Sequence, residues 1–157
     1  CVSPRQAPPP PAPPAAPPPP PPTAPISSDW RDIPVTPGGW AYAAEPGGTI
    51  ARFGASGAPL FSARCDLAQR SVTLVREGAS SAAAPVIDIT TSAGRQSFAA
   101  HSLSSRMAVA AAIPARDGLL DKMAFSRGRF LVAVTGMPRL AIPAWPEFAR
   151  VVEDCRG

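Results

Sequence analysis

The chain has 157 residues, and the first 25 or so are mostly proline and alanine, leaving about 130 for a fold. That length supports one domain with one core, not two. Net charge is +4, carried almost wholly by arginine, with Lys122 the only lysine. The arginines are scattered and no run of five or more basic residues occurs, so they read as a solvated face. No basic helix or aromatic RNA-binding motif is present, which argues against a nucleic-acid partner. No apolar run approaches the ~20 residues that a membrane-spanning helix needs.

The chain begins at Cys1, followed by the polar stretch Val2-Ser3-Pro4-Arg5-Gln6-Ala7. From Pro8 to Pro22 only Ala12, Ala15 and Ala16 interrupt proline. Proline fixes φ and has no N–H to donate, so this tract forms neither helix nor sheet. It is expected to adopt polyproline II, rising ~3.1 Å per residue, so residues 2–25 reach roughly 60–70 Å when extended. An inert spacer is the primary reading, and a proline-rich ligand for an aromatic groove the alternative. An N-terminal cysteine ahead of such a tract resembles a mature bacterial lipoprotein. That resemblance implies acyl chains on Cys1, and two or three chains hold a soluble domain on a bilayer where one is marginal. Val2 in place of aspartate implies the outer membrane by the common sorting rule of that family. The expected layout is an anchor segment 1–7, a polyproline spacer 8–29 and a single β-rich periplasmic domain 30–157.

From Trp30 onward, short runs rich in Val, Ile, Phe and Thr are separated by Gly, Pro, Ser and Asp, which is strand-and-turn texture. Strands are predicted at 40–44, 49–53, 60–65, 71–76, 86–91, 96–103, 107–112, 129–135 and 140–142. Several alternate. Trp40 and Tyr42 face away from Ala41 and Ala43, and Phe61, Ala63 and Cys65 face away from Ser62 and Arg64. Period 2 with one apolar face predicts antiparallel sheets wetted on one side. Many short strands predict a mainly β fold, a small antiparallel sandwich or barrel. With one Tyr, three Trp and six Phe, the core is expected to be mainly aliphatic. The run 107–113 is rich enough in alanine to be helical instead.

Two helices interrupt the strands. Residues 117–124 make about two turns with Asp117 as N-cap. The last helix opens with Pro146 at its first position and carries Phe148, Val151, Val152 and Cys155 at i, i+3, i+4, i+7. Cys155 therefore faces the core, as Cys65 does. If Cys1 is acylated, an even pair remains, and a Cys65–Cys155 disulfide is expected in an oxidising compartment, two free thiols being the alternative.

The stretches 123–130, 140–147 and 151–156 resemble the C-terminal pattern of a group of uncharacterised alphaproteobacterial envelope proteins. In architecture the order helix, strand, strand, terminal helix ending in cysteine is similar to the invasion-associated locus B type of periplasmic β-sandwich. Both resemblances imply a fold and a compartment, and neither brings a catalytic residue.

Chemistry is sparse. His101 is the only histidine, and although Asp88 or Asp117 could complete a triad, no Gly-x-Ser-x-Gly elbow accompanies them. No metal set or cofactor is implied: carboxylates do not cluster, and Gly38-Gly39 and Gly47-Gly48 read as turns rather than phosphate cradles. Arg127-Gly128-Arg129 either presents two guanidiniums to a carboxylate or phosphate, or positions Phe125 and Phe130 in the core. Trp145 reads as a staple under the last helix or as an exposed anchor, and Trp30 as a contact outside the core. Trp30, Arg127, Arg129 and Trp145 are thus the candidate partner contacts. The expected function is that of a non-catalytic accessory or interaction subunit of an outer-membrane or periplasmic assembly, attached to the membrane through Cys1, with a protein partner in the envelope. A periplasmic inhibitor or small-ligand binder is the alternative, and a hydrolase working through His101 a weaker one.

Overall fold

The computed structural model describes residues 2–19 and 29–157. Residues 2–19 carry neither helix nor strand and are exposed, as proline's missing donor dictates. Cys1 and residues 20–28 of the expected spacer lie outside the described residues.

The domain begins with a 3-10 turn at Trp30–Asp32, then a meander of β1 (Gly39–Glu45), β2 (Gly48–Ala55), β3 (Ala58–Asp66) and β4 (Ser71–Glu77). Two-residue turns join the first three strands, with Glu45 opposite Gly48 and Ala55 opposite Ala58. Gly47 at φ 83° and Gly57 at φ 77° supply the left-handed residue each turn requires. The chain continues through β5 (Val86–Thr91), β6 (Gly94–Ala99), β7 (His101–Ser102), β8 (Ala108–Pro114), α1 (Gly118–Ala124), β9 (Arg129–Val134), β10 (Leu140–Pro143) and α2 (Pro146–Arg156). The strands form a six-stranded sheet, β1-β2-β3-β4-β8-β7, and a four-stranded sheet, β10-β9-β5-β6, antiparallel throughout. The fold is the mainly β, two-sheet arrangement that the alternation predicts.

Several expectations are corrected in detail. Residues 96–103 are not one strand: the chain leaves the smaller sheet after Ala99 and joins the larger at His101. Ala100 makes the corner, its N–H donating to Pro85 O at 3.0 Å. The alanine-rich run is strand, because pairing with β4 satisfies its backbone and small side chains fit on both faces. The core is mainly aliphatic, as expected, around an aromatic centre. Trp40, Phe61, Phe130 and Phe148 form a closed circuit of ring contacts with centroids 5.6–6.3 Å apart, and Phe53 adds a contact with Trp40 at 5.5 Å. Each such pair adds roughly 0.5–1.5 kcal/mol beyond the area it buries. Leu74, Ile87, Ile89, Val109, Val132 and Ile142 complete the cluster between the sheets. The Trp40 indole N–H donates to Pro143 O at 2.8 Å, joining the edge of one sheet to the edge of the other.

Arg76 departs from the solvated reading of the arginines. It sits on the core-facing side of β4, opposite Phe61, and is buried. Its guanidinium donates to the carbonyls of Leu60, Glu77 and Pro138, and burial lowers its pKa. Phe125 is corrected too. Phe130 is fully buried, but Phe125 is 74 % exposed at the end of α1. Ser126 turns inward instead, its Oγ accepting from Ser92 N–H at 3.0 Å and donating to Arg129 O at 2.6 Å.

Helix α2 packs the predicted face, Phe148, Val151, Val152 and Cys155, into the core against β1–β4. That geometry brings Cys155 to Cys65 with Cα atoms 5.4 Å apart, and the two are disulfide-bonded. Helix α1 is capped as expected, with Asp117 Oδ1 accepting from Leu119 N–H at 2.8 Å.

Candidate binding site on the outer sheet face

The predicted contact residues divide between structural duty and exposure. Trp30 lies half-buried on its 3-10 turn with the Arg31 guanidinium 4.9 Å above its ring. The Arg129 guanidinium donates to Ile33 O, so it fastens residues 29–38 to β9 rather than standing free. The same segment runs along the open edge of β10, where Thr36 N–H donates to Ala141 O and Ala141 N–H to Thr36 Oγ1, both at 2.9 Å. Covering that edge removes a row of unpaired backbone groups. Arg127 is exposed, and its backbone N–H donates to Ser92 Oγ at 2.9 Å. Trp145 forms the N-cap of α2, 46 % exposed, beside Gly39. Arg127 and Arg129 therefore do not act together as a fork.

His101 is exposed on β7 opposite Ala110. Its possible triad partners are committed elsewhere. Asp88 accepts from Arg95 and from Ser97, and the Arg95 hydrogen bond holds its carboxyl below the usual range. Asp117 caps α1. Among the described residues no group of three or more His, Cys, Asp or Glu is placed to hold a metal, and no helix is long and apolar enough to cross a membrane.

The outer face of the six-stranded sheet carries a groove that simple alternation does not reveal. Register aligns Arg52, Ser62, Val75, Ala110 and His101 across one row, and Ile50, Arg64, Thr73 and Ala112 across the next. An outward row should be wet, yet Ile50, Val75 and Ala110 are buried at 6 %, 6 % and 1 % exposure. Val75, Ala108 and Ala110 form a second small apolar cluster with Leu103 against it. Beside this cluster opens a groove of about 410 Å³, floored by Ile50, Val75 and Leu103 and rimmed by Arg52, Arg64 and Arg106.

The rim is charge-paired but not neutral. Glu45 accepts from Arg52 at 2.6 Å and from Arg64 at 2.9 Å. The Arg64 hydrogen bond, helped by Arg52, holds the Glu45 carboxyl below its usual value against the opposing cost of desolvation. Arg106 pairs with Glu77 at 3.0 Å. Three guanidiniums thus face two carboxylates. An apolar floor under a cationic rim matches an anionic, amphipathic ligand.

No family model matches the chain, and neither a curated protein nor a solved structure matches it. The functional reading therefore rests on this geometry and on the sequence pattern.

Proposed function

We propose that this chain is a lipid-anchored bacterial envelope protein, held at the outer membrane by acyl chains on Cys1. Its domain works as a non-catalytic accessory or interaction subunit of an outer-membrane or periplasmic assembly. The observation that carries the reading is the outer-face groove, whose buried Ile50 and Val75 lie under the Arg52, Arg64 and Arg106 rim. The fitting partner is an envelope protein presenting an acidic segment with apolar side chains. The Cys65–Cys155 bridge supports an oxidising compartment, and the proline tract gives the domain reach from the bilayer.

Two experiments test the halves separately. Cys1→Ser should move the protein from the membrane fraction to the soluble periplasmic fraction, and retention in the membrane would overturn the anchor. A photo-crosslinking residue at Ala43, exposed beside Ile50 on the outer face, should give one adduct of fixed mass in native membranes. Arg64→Glu should abolish it, while the same probe at the remote, exposed Arg139 should give none. A domain that yields no adduct and elutes alone from mild detergent would overturn the interaction reading.

A periplasmic inhibitor or small-ligand binder is the second reading. It draws support from the groove's volume of about 410 Å³, within the roughly 300–1,000 Å³ typical of small-molecule clefts. Titration of the purified domain with anionic ligands separates it from the first.

A further inference from the structure

Three turns that are far apart in sequence meet beside the disulfide: the β3–β4 loop ending in Arg70, the segment Pro114-Ala115-Arg116 at the end of β8, and the end of α2 at Cys155 and Arg156. Together they line a pocket of about 180 Å³. Three of its six lining residues are arginines, and the floor is apolar, made by Pro114, Ala115 and Cys155.

The pocket is built rather than incidental. Arg70 is the one non-glycine residue with positive φ among the described residues, at 48°. That left-handed conformation is uncommon for a residue carrying a long side chain. Backbone strain of this kind concentrates at functional positions and persists where surrounding structure over-determines it. Here the constraint is visible: the Arg70 carbonyl accepts from Ala115 N–H at 2.9 Å, locking the first turn to the second. The third is locked by Arg156, whose Nε donates to Ala115 O at 2.8 Å. Its two terminal nitrogens bind the Asp121 carboxylate at 2.8 and 3.0 Å, so the charge of Arg156 is already balanced.

Arg70 and Arg116 differ. Both are exposed, and neither has an ion-pair partner among the described residues. Of the carboxylates on the adjoining elements, Glu153 acts on Arg156, and three others are hydrogen-bonded within the domain. Asp66 accepts from Gln69 N–H at 3.0 Å, Asp117 caps α1, and Asp154 accepts from the Tyr42 hydroxyl at 2.7 Å. Two guanidinium forks without an ion-pair partner among the described residues therefore flank an apolar floor and are free to make charge-assisted hydrogen bonds.

We propose that this pocket binds one phosphate-type oxyanion through the side chains of Arg70 and Arg116, with Arg156 as its fixed wall. A planar carboxylate meets one guanidinium fork in its own plane, whereas the three tetrahedrally disposed terminal oxygens of a phosphomonoester can meet two forks from different sides. At about 180 Å³ the space is smaller than the roughly 300–1,000 Å³ of clefts that enclose a drug-sized ligand. Only the head group enters, and the rest of the ligand stays outside. The site is separate from the outer-face groove and does not depend on the function proposed for it.

The test uses the full chain as Cys1→Ser, so that acyl chains do not carry it onto vesicles. Inorganic phosphate is one arm, and phosphatidylcholine vesicles doped with phosphatidic acid are the other. Binding is read by calorimetry for the first arm and by co-sedimentation for the second. Arg70→Gly keeps the left-handed backbone and removes the guanidinium, and Arg116→Gln removes the second charge. Each should weaken binding about tenfold or more, by the usual worth of a charged hydrogen bond. The double variant should abolish it, while Arg139→Gln leaves it unchanged. Binding of free phosphate that the double variant loses supports a soluble phosphate ligand. Binding seen only on the doped vesicles, and likewise lost, supports a lipid head group. No binding in either arm, or binding that the double variant retains, overturns the proposal. Thermal unfolding of each variant checks that its domain is intact.

Discussion

Replacing both Cys65 and Cys155 with alanine tests the assembly of the fold most directly. The bridge spans 90 residues. In the chain-entropy model, closing a loop of that length removes roughly 4–5 kcal/mol of unfolded-state freedom at 25 °C. Residual structure in the denatured chain lowers the figure, and the space left by two buried sulfurs raises it. The sum stays near 4 kcal/mol, a large share of the ~5–15 kcal/mol that holds a typical domain folded. Helix α2 keeps Phe148, Val151 and Val152 in the core without the bridge, so the double variant still folds, with a midpoint lowered by roughly 15–20 °C. Urea unfolding followed by tryptophan fluorescence reads the loss, since Trp40 is buried in the aromatic circuit. The oxidised wild type should show a smaller m-value than the double variant, because a cross-linked unfolded chain exposes less surface. A loss under about 1 kcal/mol with an unchanged m-value would refute the claim that this long-range closure stabilises the domain.

Phe130→Ala should cost about 3–5 kcal/mol in the same assay, whereas Phe125→Ser, five residues earlier, should change stability by less than about 0.5 kcal/mol. Gly48→Ala should cost about 1–3 kcal/mol, because its Cβ would fall 2.0 Å from the carbonyl oxygen of Cys65. Gly118→Ala, at the open start of α1 with nothing within 4 Å, should instead stabilise by about 0.5–1 kcal/mol. Glu45 has a folded-state pKa below its ordinary value of 4.5. It therefore contributes stability above that value, and the contribution is lost as pH falls through the depressed one. Glu45→Gln should flatten the acid limb of the stability curve below about pH 4.5 by less than about 1 kcal/mol, the usual worth of a surface pair. An acid limb of unchanged slope would show that Arg52 and Arg64 leave the carboxyl unperturbed.

The legible features are those with a local physical signature. Alternation marks strands because successive side chains on a strand point to opposite faces. Trp40 and Tyr42, and Phe61, Ala63 and Cys65, lie on the predicted sides. Pro46-Gly47 and Ser56-Gly57 mark turns because they tolerate the required φ. The face of α2 was legible from its spacing of 3 and 4, and that spacing carried the disulfide with it. The sheet change at Ala100 was not, because strand texture is the same on both sides of a corner. Nor was the exchange of Phe125 for Ser126: only the hydrogen-bond needs of Ser92 and Arg129 favour a buried hydroxyl there.

The two candidate sites belong wholly to tertiary structure. The sequence by itself determined a proline tract that cannot fold, one β-rich domain and a cysteine pair facing its core, since backbone chemistry and periodicity act over a few residues. It left the arginines looking alike. The fold alone distinguished them: Arg76 was buried against carbonyls, Arg52 and Arg64 were paired through Glu45, and Arg70 and Arg116 were left beside Cys155 without an ion-pair partner among the described residues. The physical reason is that a guanidinium's state depends on which distant carbonyls and carboxylates the packing brings within reach.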